Sequence, residues 1–443
     1  MKFKITLPQK KYATVLITSY ILVISLVLFG LFSVMEYAKQ LGRVQTDTNN
    51  PDGSLGVFSQ IGQTSSLTKG KESIKAIWIA TVSNINFPSE RGLDQSKLKE
   101  ELDSIVSSCK KLGANTIFFQ VRPCSDALYD SSIFPASHYL SGTRGEKCGF
   151  DPLKYIITAA KKEGISVHAW INPVRVLPGS PTDPASREEL CEGEPAALHP
   201  DWTVIYGDGR MYYDLGIPQV RSLIADGVYE IVANYDVDGI IFDDYFYPYP
   251  VYDSNGKLAD FDDSATYKKY GGGRNVADFR RENVNALVRV CNSAAKKADN
   301  DCLFGVSPFG VWRNSQADGG AGTKGLESYS EIYCDTLSFV REGTVDYVAP
   351  QLYWGIGDKD ADFSLLLDWW NNALKGTDTA LVPCLAPYRY SDGAYKHGEI
   401  TEQIRLSKKG SSYAGCALFG YAALTDPALP VGEEITYIWY ANE

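Results

Sequence analysis

The chain has no pair of cysteines at C-x-x-C spacing, no histidines at metal-ligand spacing, no phosphate loop behind a strand, and no long basic run beyond its first residues. Its nine cysteines (109, 124, 148, 191, 291, 302, 334, 384 and 416) are scattered, and only 4 histidines occur in 443 residues. No zinc ligand set is present, so neither a metal nor a cofactor is expected. The odd cysteine count and several apolar settings point to mostly buried thiols rather than a disulfide framework, although Cys124 with Cys148 would brace one loop. Lys and Arg number 43 against 54 for Asp and Glu, a net charge of -11 that excludes a nucleic-acid surface. The GGGR at 271–274 lacks a strand immediately before it and reads as a plain loop. Asp253, Asn255 and the acids among 260–263 depart from EF-hand spacing and read as a solvated acidic loop.

What the chain does have is a hydrophobic fraction of 44%, enough for a real core, and an aromatic share of 12% concentrated near strand ends. From Tyr12 to Met35 no residue carries a charge, a length that spans a bilayer. Lys2, Lys4, Lys10 and Lys11 precede it, and no A-x-A pattern follows. These features predict an uncleaved signal anchor, with residues 1–11 cytoplasmic, the span at 12–35 and the rest outside the cell. No cysteine follows closely enough for a lipoprotein anchor. Residues 36–73 are polar and aperiodic, a flexible tether off the membrane, and a single domain is expected over 74–443.

From residue 75 apolar strands alternate with amphipathic helices. Strands are expected at 76–82, 116–121, 166–171, 237–243, 303–306, 347–352, 380–385 and 417–419. Helices are expected at 95–112, from 152, and at 218–235, 276–297, 330–341, 363–374 and 400–413. Eight such units predict a (β/α)8 TIM barrel with parallel strands. Its long loops would lie at the C-terminal face, notably a structureless connection from 174 to 216 and another from 245 to 273.

In such a barrel the site lies where strands end. The stretch Val237–Pro250, VDGIIFDDYFYPYP, ends its apolar run in Asp243, Asp244 and Tyr245. Charges there are costly unless solvated, paired or used. Other strand ends deliver Asn84; Gln120 and Arg122; Asn172 and Arg175; Trp312; Gln351, Tyr353 and Trp354; and Tyr388. Planar polar groups beside aromatic faces suit hydroxyl-rich rings, so these residues are read as binding a polysaccharide. Taken singly, each has a packing explanation. Glycosidic cleavage needs a proton donor and stabilisation of positive charge at the anomeric carbon. Asp243 and Asp244 are the natural pair, since later strand ends supply no acid. Two schemes remain open. In one, Asp243 orients the sugar's own 2-acetamido group as nucleophile while Asp244 protonates the leaving oxygen. In the other, Asp243 attacks directly and a loop acid, Asp126 or one from 253–263, closes over it. A noncatalytic glycan-binding module would keep the same cleft without turnover.

The motifs NTIFFQVRP (115–123), DALY (126–129), FDPL (150–153), HAWINP (168–173), VDGIIFDDYFYP (237–248), GVSPFGVWRN (305–314) and DYVAPQLYW (346–354) together resemble the glycosyl hydrolase-like family 10 domain. The resemblance implies a bacterial TIM-barrel glycosidase, with members linked to peptidoglycan strands stripped of peptide. On it Asp243 and Asp244 match the family's acidic pair, and Arg122, Asn172, Gln351, Tyr353 and Trp354 match cleft positions. Ile241 stands where His is common, the 135–137 segment lacks a common Trp, and Asp214-Leu215-Gly216 replaces Asn-Pro-Gly. These departures bear on subsite contacts rather than on the acidic pair.

Overall fold

The computed structural model describes residues 72–243, 246–252 and 255–440. The expected cytoplasmic segment, membrane span and tether at 1–71 lie outside the described residues, as do Asp244 and Tyr245. Among the described residues no helix is long and apolar enough to cross a membrane.

Nine strands form one parallel, curled sheet: β1 (Ile74–Ile79), β2 (Thr116–Arg122), β3 (Ser166–Ile171), β4 (Gly239–Asp243), β5 (Leu303–Ser307), β6 (Tyr347–Val348), β7 (Ala380–Leu381), β8 (Cys384–Leu385) and β9 (Gly415–Leu418). Their spatial order is β7-β6-β5-β4-β3-β2-β1-β9-β8. The two outermost strands are consecutive pieces of one stretch. Within it Val382 N and Cys384 N donate to Val348 O and Pro350 O at 2.9 Å each, while Pro383 O and Leu385 O accept from Ala417 N and Phe419 N at 3.0 and 2.9 Å. Pro383 has no N–H to offer, which splits the ladder there.

The helices α1 (Gln95–Leu112), α2 (Pro152–Lys162), α3 (Pro218–Asn234), α4 (Val276–Ala298), α5 (Thr336–Arg341), α6 (Phe363–Ala373), α7 (Glu399–Ser407) and α8 (Val431–Tyr440) accompany the sheet. Local sequence sets their ends. Asp94 and Asp151 cap α1 and α2 by accepting from Lys97 N and Lys154 N, and Gly113 stops α1 in the left-handed region at φ 84. Apolar faces such as Leu98, Leu102, Ile105 and Cys109 of α1 are buried in the larger core between helices and sheet.

Several expectations change. The connection expected to be structureless over 245–273 carries a short helix, Ser264–Tyr270, and the helix expected over 400–413 ends at Ser407. The helix expected over 330–341 is two pieces, Ser328–Glu331 and Thr336–Arg341. Between them Tyr333 takes φ 54, and its hydroxyl accepts from Arg280 Nη1 at 3.0 Å. The connection after β3 is not structureless: Arg175–Leu177, Met211–Tyr213 and Thr203–Ile205 form a small antiparallel sheet whose first two strands are fully buried.

A second core fills the inside of the curl: Trp78, Phe118, Trp170, Ile241, Tyr347 and several alanines. Side chains alternate in direction along each strand, so residues two apart share the inner face. Two glycines make room for large neighbours. A Cβ at Gly239 would sit 2.7 Å from His168 Nδ1, and one at Gly305 would sit 2.1 Å from Tyr347 Cζ. His168 and Tyr347 fill that space and hydrogen-bond at 2.8 Å (Nδ1 to Oη). Burial with no charged partner depresses the His168 imidazole to about 3, so it is neutral.

Candidate active site

The same alternation that packs the floor builds the site above it. Counting upward by two, Phe118 leads to Gln120, His168 through Trp170 to Asn172, Gly239 through Ile241 to Asp243, and Tyr347 through Ala349 to Gln351 and Tyr353. The inner face changes from apolar to polar at the C-terminal ends of the strands. Ile241 is fully buried and directly precedes Asp243 on this face.

Four of the expected residues form one hydrogen-bonded chain. The Gln120 Oε1 accepts from Thr81 N at 2.7 Å and Val82 N at 2.8 Å. Its Nε2 donates to Asn172 Oδ1 at 2.6 Å, and Asn172 Nδ2 donates to Asp243 Oδ2 at 3.4 Å. From the far side Gln351 Nε2 donates to Asp243 Oδ1 at 2.9 Å. Gln120 and Asn172 are buried, whereas Asp243 and Gln351 are half-buried. Two neutral amides therefore grip the carboxylate and orient it.

An aromatic group adjoins it. Tyr353 stacks on Phe419 (6.2 Å between ring centres, 22° between planes) and meets the edge of Tyr388 at 6.0 Å. The Tyr353 hydroxyl lies 3.3 Å from Cys384 Sγ. Burial, reinforced by Cys384 and by the Asp243 carboxylate, holds the Tyr353 phenol well above its ordinary range. Burial likewise pushes the Cys384 thiol up to about 12. Both are proton-bearing groups beside a carboxylate. Trp354 packs edge-on against Phe309 at 5.6 Å.

Other expected residues are placed differently. Arg122 follows an irregularity in register between Gln120 and itself, so it pairs with Ile171, which belongs to the outer core, and leaves the inner face. It is fully buried, its guanidinium 3.6 Å over the Phe134 ring, with Nη1 2.8 Å from where a Cβ at Gly227 of α3 would stand. Arg175 donates from Nε and Nη2 to Pro123 O at 2.9 and 2.7 Å, fastening the loop after β2. Asn84 donates to Pro88 O and Tyr139 O, both at 2.9 Å, organising the loop after β1. Trp312 belongs to an aromatic cluster with Trp369, stacked at 5.7 Å, and its indole donates to Asp335. Cys124 and Cys148 remain thiols.

The loop acids of the direct-attack scheme are thinned out. Asp126 is fully buried, and its Oδ1 accepts from Cys124 N at 3.0 Å. Asp263 is buried in a two-pronged pair with Arg280, which donates from Nε at 2.8 Å and from Nη2 at 2.7 Å. Asp260 and Asp262 are exposed, and Asp253 lies outside the described residues. Among the described residues no three His, Cys, Asp or Glu side chains are grouped to hold a metal ion.

Sequence reasoning missed Cys384 and Phe419. Cys384 carries a legible signal, since it lies four residues beyond Ala380, an inner-face residue of its own stretch.

The fold resembles glycoside hydrolase structures. The catalytic domain of beta-amylase from Paenibacillus polymyxa superimposes with a TM-score of 0.52 at 12% identity, covering 84% of this chain and 98% of that one. The PgaB (BpsB) glycoside hydrolase domain from Bordetella bronchiseptica gives 0.50 at 14%, covering 83% and 99%. The chain itself belongs to the glycosyl hydrolase-like 10 family, whose model matches residues 73–397. It is 40% identical over 377 residues to glycosyl hydrolase YngK of Bacillus subtilis (strain 168), covering 83% of this chain and 72% of the relative. It is 38% identical over 387 residues to glycosyl hydrolase DigH of Escherichia coli (strain K12), covering 81% and 85%.

Proposed function

We propose that the chain is a membrane-tethered glycoside hydrolase that cleaves a bacterial cell-wall-type glycan built of 2-acetamido sugars, such as peptidoglycan strands freed of peptide. The fold is read as a (β/α)8 barrel whose seventh strand, residues 380–385, is split at Pro383. The observation that carries the function is the Asp243 carboxylate, held between Gln351 and Asn172 at the strand ends beside an aromatic group. A carboxylate fixed by neutral donors can direct an acetamido N–H and stabilise the charge that develops as the acetamido oxygen attacks the anomeric carbon. Asp244, next in the chain, is assigned the proton for the leaving oxygen. The aromatic faces of Tyr353, Tyr388 and Trp354 are assigned to sugar rings. The burial of Asp126 and the pairing of Asp263 favour this scheme over direct attack with either of those acids.

The family membership, and relatives that are themselves named glycosyl hydrolases, support turnover rather than binding alone. The tether rests on the uncharged run at 12–35 behind its lysines. The test is to incubate the protein with peptide-free glycan strands and analyse products by mass. New reducing ends, abolished in Asp243→Asn and Asp244→Asn while glycan binding survives, are expected. Covalent trapping of Asp243 by a fluorosugar, with no inhibition by an acetamido-thiazoline, would replace substrate assistance by direct attack.

A further inference from the structure

Gln120 stands out within the site because it is fully buried and both polar atoms of its amide meet protein partners, which shields it from a sugar. Its partners settle which way round it sits. Two backbone N–H groups, Thr81 and Val82, converge at 2.7 and 2.8 Å on one atom of its amide, and only an oxygen can accept both. The other atom is therefore the nitrogen, and at 2.6 Å it must face the Asn172 oxygen, since two N–H groups at that separation would repel. That leaves the Asn172 nitrogen for Asp243. The backbone of the loop after β1 thus dictates, through two amides, that Asp243 meets a donor and not an acceptor.

We infer that Gln120 is a positioning residue for the reaction, transmitting the polarity of the Thr81 and Val82 N–H groups through Asn172 to Asp243. The inference rests on the glycosidase reading above. It assigns Gln120 no contact with substrate. Reversing Asn172 would aim its carbonyl oxygen at the Asp243 carboxylate, disfavouring the ionised form that the reaction uses. The hydrogen-bond partners of the Gln120 amide, Thr81, Val82 and Asn172, carry no titrating side chain. Among the described residues the Asp243 carboxylate meets Asn172 and Gln351 and acts on Tyr353 and Cys384, with Asp244 adjacent in sequence.

Two substitutions separate this role from simple bracing of the loop. Gln120→Glu keeps the acceptor for Thr81 and Val82 but, when ionised, loses the donor to Asn172. Gln120→Met removes both. If Gln120 only braces the loop, Gln120→Glu is the milder change and its activity relative to wild type is flat with pH. If it sets amide polarity, Gln120→Glu is the more severe at neutral pH, with kcat down about tenfold or more and KM within about twofold. Its kcat relative to wild type then rises as pH is lowered, because the protonated side chain again donates to Asn172. A crystal structure of Gln120→Glu, at a pH above the ionisation of the introduced carboxyl as read from the pH profile, supplies a readout free of turnover. Asn172 turned, or Asp243 swung away from it, is expected; an unchanged Asn172 to Asp243 contact overturns the inference. If the wild type releases no reducing ends from any acetamido glycan, the glycosidase reading fails on its own, and the crystal structure still decides whether Gln120 controls the orientation of Asn172.

Discussion

The grip on Asp243 is unequal, and the inequality makes a prediction. Gln351 donates at 2.9 Å, an ordinary hydrogen-bond length, whereas Asn172 donates at 3.4 Å, near the limit. A hydrogen bond to a charged group contributes about 1.5–3 kcal/mol, and because Asp243 and Gln351 are only half-buried, water can replace part of a lost donor. Gln351→Leu changes volume little, and is expected to lower kcat/KM by roughly ten- to a hundredfold. Its effect on folding should stay within about 0.5 kcal/mol, since no fully buried polar group loses its partner. Asn172→Leu should behave in the opposite sense. The longer contact to Asp243 predicts a smaller loss of kcat/KM, roughly three- to tenfold. The Gln120 Nε2, however, is then left fully buried without its acceptor, which destabilises the fold by about 1–3 kcal/mol. Reducing-end kinetics on a peptide-free glycan and urea denaturation of the same preparations measure both quantities. If Asn172→Leu proved the worse for activity and the milder for stability, this account of the carboxylate would be refuted.

The remaining predictions concern the floor, the helix layer and the cleft. Gly305→Ala would drive a methyl into the Tyr347 ring and should destabilise by about 1–3 kcal/mol or more, read from the denaturation midpoint; an unchanged midpoint would show that the inner core yields freely. His168 is neutral in the fold, depressed to about 3 from an ordinary 6.5, so the unfolded chain binds the extra proton between those values. Stability should fall as pH drops below about 6.5, by roughly 1.4 kcal/mol per pH unit at most, and His168→Gln should lessen that slope. Breaking the buried Asp263 and Arg280 pair by Asp263→Asn should cost about 3–5 kcal/mol of stability by denaturation, because Arg280 loses its counter-charge. Tyr388→Ala should raise KM for glycan with kcat nearly kept; a pure loss of kcat would move Tyr388 from ring binding into the chemistry.

Much of this arrangement was legible in sequence because it depends on a period of two. Once strands 2, 3, 4 and 6 are recognised, Gln120, Asn172, Asp243 and Gln351 all fall on one face at their ends. Arg122 obeyed the same motif-level reasoning and is nonetheless on the other face, since a single irregularity in register inverts side-chain direction and leaves no compositional trace. Arg175 and Asn84 look like cleft residues by type and position, but their donors are committed to carbonyls of loops whose paths no local pattern specifies. Between the two short helices of 328–341 Tyr333 meets Arg280, more than fifty positions away in sequence, a tertiary contact that helical periodicity does not contain. Gln120 shows the same lesson at finer scale. Its type suggested sugar binding, and only its two backbone donors show that its amide is already spoken for.

The most direct measurement of the central claim is mass analysis of peptide-free, acetamido-sugar glycan strands after incubation with the wild-type protein and with Asp243→Asn. Shortened strands with new reducing ends from the wild type, and intact but still bound strands with the variant, are the predicted result. Strands that bind the wild type and emerge uncut would contradict it and leave a glycan-binding module in its place.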